Sequence, residues 1–256
     1  MAGQITTKSV LVTGGAKRIG AAIGRRFADA GWHVVVHCNR SLAEAEALAA
    51  DLPSAEAVRC DLADGGAALA MIEGLAARLG DWRALVNSAS VFRPDDAMQL
   101  DVGANWEALQ VNAVTPAMIA QAYLRLARSA AGRRVIQLTD QKLANPNPDF
   151  FSYTMSKHAL AATVPMLAMA AAPKDRVYAL APGAILASHE QSDAEAEATH
   201  RLNLLGRRTG PEEVADAALF LATGPLASGQ TLFVDSGQHL LAQPRDVMYL
   251  AGEERA

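Results

Sequence analysis

Seven short β-branched runs recur along the chain: SVLVT at 9–13, HVVVHC at 33–38, EAVRC at 56–60, RALVNS at 83–88, RVIQLT at 134–139, RVYALA at 176–181 and TLFVD at 231–235. Ala-rich stretches with helical periodicity separate them, including Ile19 to Ala30 and Leu42 to Leu52. Strands that are apolar almost without interruption have both faces buried. That argues for a parallel sheet covered on each side by helices, which right-handed crossovers deposit there. The expectation is an α/β, doubly wound Rossmann fold: a single parallel sheet of about seven strands with helices on both faces. The apolar fraction supports it, since 51% hydrophobic residues with only 5% aromatics means Ala, Leu and Val, which let helices pack close to a buried sheet.

A length of 256 residues allows one large α/β domain or two small ones. No Pro/Gly/Ser-rich linker, repeat or low-complexity block marks a boundary, so one domain over 1–256 is expected. The segment LASHEQSDAEAEATHRLNLLGRR, between the sixth and seventh runs, differs in texture. It follows the C-terminal end of a strand, where ligands bind in such sheets. Residues 189–206 are either a substrate-covering lid or a solvated helix pair.

Charge and cysteines narrow the class. A formal charge of −4 with no long Lys/Arg run gives nothing to attract a nucleic acid or an anionic membrane. Cys38 and Cys60 each end an apolar run without CxxC spacing, which reads as reduced core thiols. No basic-then-apolar leader is evident, and no apolar stretch of about eighteen residues lacks charges or breakers. A soluble, cytoplasmic protein is expected. No histidine cluster has metal-ligand spacing, so no metal is expected.

Directly after the first strand comes TGGAKRIG, Thr13 to Gly20, opening a helix. Gly14 and Gly15 permit a tight turn, and Gly20 lets the helix approach the sheet while its N-terminus faces a pyrophosphate. At the end of the second strand stand Arg40 and Ser41, where an NAD-binding protein usually carries an acid for the ribose 2′-hydroxyl. A guanidinium binds a 2′-phosphate through a fork of charge-assisted bonds, which selects NADPH; the alternative is an ordinary surface cation. Ser41 adds a donor or caps the next helix. Asp61 and Leu62 stand where an adenine edge would lie, and Asp61 could equally cap a helix.

Further on, LTDQKLANPNPDFFSYTMSKHAL places Asp140 thirteen residues before a Tyr153-x-x-x-Lys157 pair. Residues four apart share a helix face, so an ammonium beside the phenol is expected to lower the Tyr153 pKa and improve it as a proton donor. Lys157 can also hold a nicotinamide ribose.

These landmarks resemble the short-chain dehydrogenase/reductase family over nearly the whole chain: TGGAKRIG, the DL at Asp61, NSAS at Asn87, Asn112 in LQVNAVTP, YTMSK, and APG at Pro182. Four departures narrow the resemblance: Arg18 stands for the middle glycine of the turn, NRS follows the second strand, Ser90 and Phe92 follow NSA, and Asp140 occupies the usual serine position. The set is similar to pteridine reductases, including dihydromonapterin reductases. The resemblance implies a catalytic centre of Asp140, Tyr153 and Lys157, with Asn112 bending its helix and holding water in a proton path. It implies cofactor contacts from Gly14, Lys17, Arg18, Ile19, Asn87, Ala89, Ser90, Pro182, Gly183 and Ile185, beside Arg40, Ser41, Asp61, Leu62, Tyr153 and Lys157. It further implies that Phe92 stacks on a pterin, that Arg18, Ser90, Asp140 and Tyr153 contact the substrate, and that the chain forms a homotetramer. Phe92 as a core aromatic, Ser90 as a loop cap and Arg18 as a phosphate ligand alone remain the alternatives. No Thr or Ser stands soon after PG, so the cofactor amide is left to backbone or Ser188. The tail beyond the last strand is expected at a subunit interface.

The carboxyl at 140 has a chemical reading independent of resemblance. Ketone reduction builds negative charge on oxygen, which an acceptor-only carboxylate would repel. Reduction of a C=N bond sends hydride to carbon and a proton to a basic ring nitrogen, which suits an acid reprotonated through Tyr153. A structural Asp bonding its own loop is the plainer alternative. The reading is thus an NADPH-dependent reduction of a pterin, dihydropterin to tetrahydropterin, with dihydrofolate or an oxidised pterin left open as the substrate. A carbonyl or alcohol oxidoreductase of the same fold is second, and a nucleotide-sensing regulator without chemistry third.

Overall fold

The computed structural model describes residues 5–187 and 191–250. Strand β1 (Ile5–Thr13) is an inner strand of one seven-stranded sheet in the order β3-β2-β1-β4-β5-β6-β7. The others are β2 (His33–Cys38), β3 (Ala55–Arg59), β4 (Leu79–Asn87), β5 (Arg134–Leu138), β6 (Arg176–Pro182) and β7 (Thr231–Val234), and every pairing is parallel. This is the expected doubly wound arrangement. The winding reverses between β1 and β4, which opens a crevice at their C-terminal ends.

Alternate residues of each strand feed two apolar layers. Val10, Val12, Val34 and Val36 point to the side of α1 (Arg18–Asp29) and α8 (Pro211–Thr223), meeting Ile23, Phe27 and Leu221. Leu11, Val35 and Leu85 point to the side of α3 (Gly65–Arg78) and α5 (Thr115–Leu126), meeting Ile72, Ile119 and Tyr123. All are fully buried. Two-sided burial is why period-2 polarity is missing from the strands. Trp82 and Tyr123 meet edge-to-face at 4.8 Å; the Tyr123 hydroxyl donates to the Trp82 carbonyl at 3.1 Å and the Trp82 indole N–H to the Ala84 carbonyl at 2.8 Å, so neither polar tip is stranded in the core.

The remaining helices are α2 (Leu42–Asp51), α4 (Val102–Leu109), α6 (Phe151–Ala170), α7 (Asp193–Thr199) and α9 (Val247–Leu250). A π-helical turn, Gln110–Val114, joins α4 to α5 and contains Asn112. Among the described residues no helix is long and apolar enough to cross a membrane, and no cluster of His, Cys, Asp and Glu could hold a metal ion.

Candidate active site

The crevice at the β1/β4 reversal is a cavity of about 460 Å³ that runs from the glycine turn to the C-terminal segment. At its nucleotide end, Gly14 has φ +64°, and a β-carbon there would lie 2.8 Å from the Ala89 Cα. A β-carbon on Gly20 would lie 2.2 Å from the Gly14 carbonyl oxygen, so only glycine lets α1 start this close to the strand. Arg18 holds φ +54° without being glycine, a strained backbone at the pocket wall. Its guanidinium donates to the Leu186 and Ala187 carbonyls at 3.3 and 3.0 Å, linking the turn to the chain after β6. Thr13 joins the two strand ends, its Oγ1 accepting from the Ser88 and Ala89 amides at 3.0 and 3.1 Å.

His37, in β2, was not singled out by the sequence. Its Nδ1 accepts from the Gly14 amide at 3.1 Å, and its Nε2 faces the Cys60 carbonyl at 3.1 Å. Only the neutral Nε2–H tautomer makes both bonds. Burial lowers its pKa from the ordinary 6.5 to about 4, against smaller opposing effects of the Cys60 carbonyl and Asp61. Because the folded value is depressed, the unfolded chain takes up this proton first. Stability present above pH 6.5 is therefore lost as pH falls towards 4. Urea unfolding should show wild type losing about 3 kcal/mol more than His37→Gln between pH 7 and 4. Parallel pH profiles of the two proteins would refute this.

At the chemical end, β5 delivers Asp140 to the cavity wall. One carboxylate oxygen accepts from the Lys142 amide at 2.9 Å, and the other accepts from the Tyr153 hydroxyl at 2.7 Å. Burial raises the Asp140 pKa, opposed by the Lys142 amide and the Tyr153 hydroxyl bond. The Lys157 ammonium lies 5.5 Å from the Tyr153 ring centroid and donates to the Leu138 carbonyl at 2.8 Å. Burial lowers its pKa to about 8.

The Tyr153 pKa moves opposite to the expectation from Lys157. Burial, then the negative charge of Asp140, push it well above its ordinary value. The spacing placed the lysine correctly, but the phenol hydroxyl bonds Asp140, while the ammonium bonds backbone.

Two other residues missed by the sequence position Tyr153. Phe150 adopts a left-handed conformation (φ 55°) just before α6, and its amide donates to the Asp95 carbonyl at 2.8 Å. The Asp95 carboxylate accepts from the Ser152 amide at 3.1 Å, capping α6 from a distant loop. Phe92 stacks on Phe150 at 4.1 Å and meets Tyr153 edge-on at 4.7 Å, with 45% of its surface exposed.

The cavity thus gathers Gly14, Lys17, Arg18, Ile19, Ala89 and Ser90 with Phe92, Asp140, Tyr153 and Lys157, and also Pro182, Gly183 and Ile185. Lys17 pairs with Glu44 at 2.6 Å. Six expected residues do not line it. Arg40 is exposed after β2, and Ser41 sits at the α2 N-cap without a side-chain capping bond. Asp61 accepts from the Ala63 amide, whereas Asp64 caps α3. Leu62 is core, with its carbonyl bonded by Thr115. Asn87 is buried and donates to the Pro116 carbonyl and Gln137. Asn112 exchanges bonds of 2.8 and 2.9 Å with the Val91 backbone and donates to Ser156 at 3.0 Å, behind the cavity wall. Ser188 and residues 189–190 of the expected lid lie outside the described residues; Gln191 and His200 flank α7 and line the cavity.

The family model described as Enoyl-(Acyl carrier protein) reductase matches residues 14–239. The chain is 35% identical to a solved structure of FolM alternative dihydrofolate reductase 1 from Brucella suis in complex with NADP, with TM-score 0.86 over 92% of this chain and 96% of that one. It is 31% identical to D-threitol dehydrogenase of Mycolicibacterium smegmatis, over 91% of this chain and 94% of the relative. Identity to pteridine reductase 1 of Leishmania tarentolae is 28%, over 92% and 97%. With the glycine turn at the β1/β4 reversal and the Tyr153/Lys157 pair on α6, these matches establish that the chain belongs to the short-chain dehydrogenase/reductase family of oxidoreductases.

Proposed function

We propose that this protein is an NADPH-dependent pterin reductase, taking a dihydropterin to its tetrahydro form. The observation that carries this reading is the 2.7 Å bond from Tyr153 to Asp140, a half-buried carboxyl with a raised pKa where a ketone reductase needs a hydroxyl. The similarity to pteridine reductase 1 and to the FolM dihydrofolate reductase agrees with it.

The residues present fit the nucleotide. The α1 N-terminus carries no side-chain cap and no acid in its first turn, so its amide donors suit a pyrophosphate. Lys17 and Arg18 add positive charge. Arg40, exposed at the end of β2, would bind the 2′-phosphate. Lys157 would hold the nicotinamide ribose, and Asn112 would set the bend that orders water behind it. A nucleotide bound there would supply hydride to a ring carbon beside nitrogen. Asp140 holds the proton destined for that nitrogen and regains one through Tyr153; Phe92 offers its open face to the pterin ring. Ser90, which lines the cavity, would bond the ring's polar edge. Exposed Trp106, Met155, Met166 and Met169 on α4 and α6 support association between copies, as in the expected homotetramer.

Similarity to D-threitol dehydrogenase favours a second reading, an alcohol or carbonyl oxidoreductase. NADPH oxidation measured with dihydrobiopterin, dihydromonapterin, dihydrofolate and a ketone panel separates the two. Turnover of ketones with none of pterins would reverse the order. Arg40→Asp should weaken NADPH about 100-fold, the loss of a charge-assisted fork, while NADH changes little. Equal loss for both nucleotides would remove the phosphate assignment.

A further inference from the structure

The C-terminal segment, as far as Leu250, folds back over the substrate end of its own subunit's cavity. Asp246, Val247 and Met248 form part of the wall. Three fastenings hold them. Gln243 Nε2 donates to the Leu202 carbonyl at 2.8 Å, and the Gln243 amide donates to Asn145 Oδ1 at 3.1 Å, tying the insert after β6 to the loop that carries Asp140. Arg245 forks onto Asp149 with bonds of 2.8 Å, and the Asp246 amide donates to the same carboxylate at 2.8 Å. Asp246 pairs at 2.8 Å with the Lys142 ammonium, which is almost wholly buried. Breaking a buried pair leaves a charge without compensation, so this end of the chain is held firmly. Tyr249 lies parallel to Phe150 at 6.1 Å, and Phe150 stacks on Phe92, so the aromatic row continues from the cavity into the segment.

We propose that residues 243–249 are a specificity wall supplied by the same subunit, which limits the substituent on the substrate ring to a short one. The inference rests on the pterin reading for the identity of that ring. Shape supports it. Val247 and Met248 line the same cavity as Asp140 and Tyr153, so a long substituent on a ring held there would have to pass them. His200 lines this end with its Nδ1 buried and without a hydrogen-bond partner. Burial first, then Arg208, lower its pKa, so the ring is neutral near pH 7.

The test compares kcat/KM for dihydrofolate, long and anionic, with that for dihydrobiopterin, short and hydroxylated. In full-length Met248→Ala, which opens the wall, the dihydrofolate-to-dihydrobiopterin ratio should rise at least tenfold, with KM for NADPH within about threefold of wild type. Arg245→Ala, which loosens the fastening, should move the ratio the same way. An unchanged ratio in a folded Met248→Ala overturns the wall. Should Arg245→Ala fail to fold, Met248→Ala decides alone. A wild-type enzyme that reduces ketones and no pterin sinks the pterin reading instead; the wall is then judged by the same ratio for a bulky against a small ketone.

Discussion

Replacing Asp140 by Asn is expected to lower kcat for dihydropterin reduction by about 10²–10⁴-fold, the range for losing a positioned general acid, with KM for NADPH nearly unchanged. The amide keeps the size and one acceptor of the carboxyl, so the Lys142 amide retains its partner and the loop retains its shape. What it cannot do is release a proton to a ring nitrogen. The same reasoning fixes the pH dependence. Burial raises the Asp140 pKa, so the protonated acid persists to higher pH than in an ordinary carboxyl, and wild-type kcat should fall as pH rises through that value. The Asn variant should lose this limb. Asp140→Ser carries the reading further, because a hydroxyl donates to a developing alkoxide; it should damage pterin turnover yet spare or improve any ketone turnover. Full pterin activity in the Asn variant would remove Asp140 from the proton path.

The elements were legible because their signals are local. A strand buried on both faces must be apolar throughout, and HVVVHC is β2 from end to end. Arg18–Asp29 likewise falls within one residue of the helical stretch read at 19–30. The turn and the Tyr153/Lys157 pair were legible for the same reason, since turn geometry and helix spacing are written in neighbouring residues. Residues that act across the fold left no such mark. His37 reads as one more strand residue until β1 and β2 set its ring beneath Gly14. Asp95 caps α6 from 57 positions away. Lys142 and Asp246 meet only after the chain has wound through two more strands. The Tyr153 error has the same root: spacing gives proximity to Lys157, whereas the titration is governed by burial and by Asp140, which arrives from another element.

Lys157→Met should separate function from stability more sharply than any other substitution in the site. Activity is expected to fall by about 10²–10³-fold in kcat/KM, as when a preorganised donor is removed from a water-excluded centre. Stability should move the other way. The folded-state pKa is lowered from 10.5 to about 8 because the ammonium is buried, so near pH 7 the fold carries a charge that water would solvate better. The unfolded chain binds the extra proton between pH 8 and 10.5, and wild-type stability should therefore rise across that window. Methionine fills similar volume without the charge. The relief is worth up to about 3 kcal/mol, and loss of the bond to the Leu138 carbonyl costs about 1–2 kcal/mol. A net gain of about 1–2 kcal/mol should raise Tm by several degrees and abolish the rise above pH 8. Such a gain, beside lost turnover, is the signature of a residue kept for chemistry at the expense of the fold. A variant that loses both activity and Tm would instead make Lys157 a structural tie between α6 and β5.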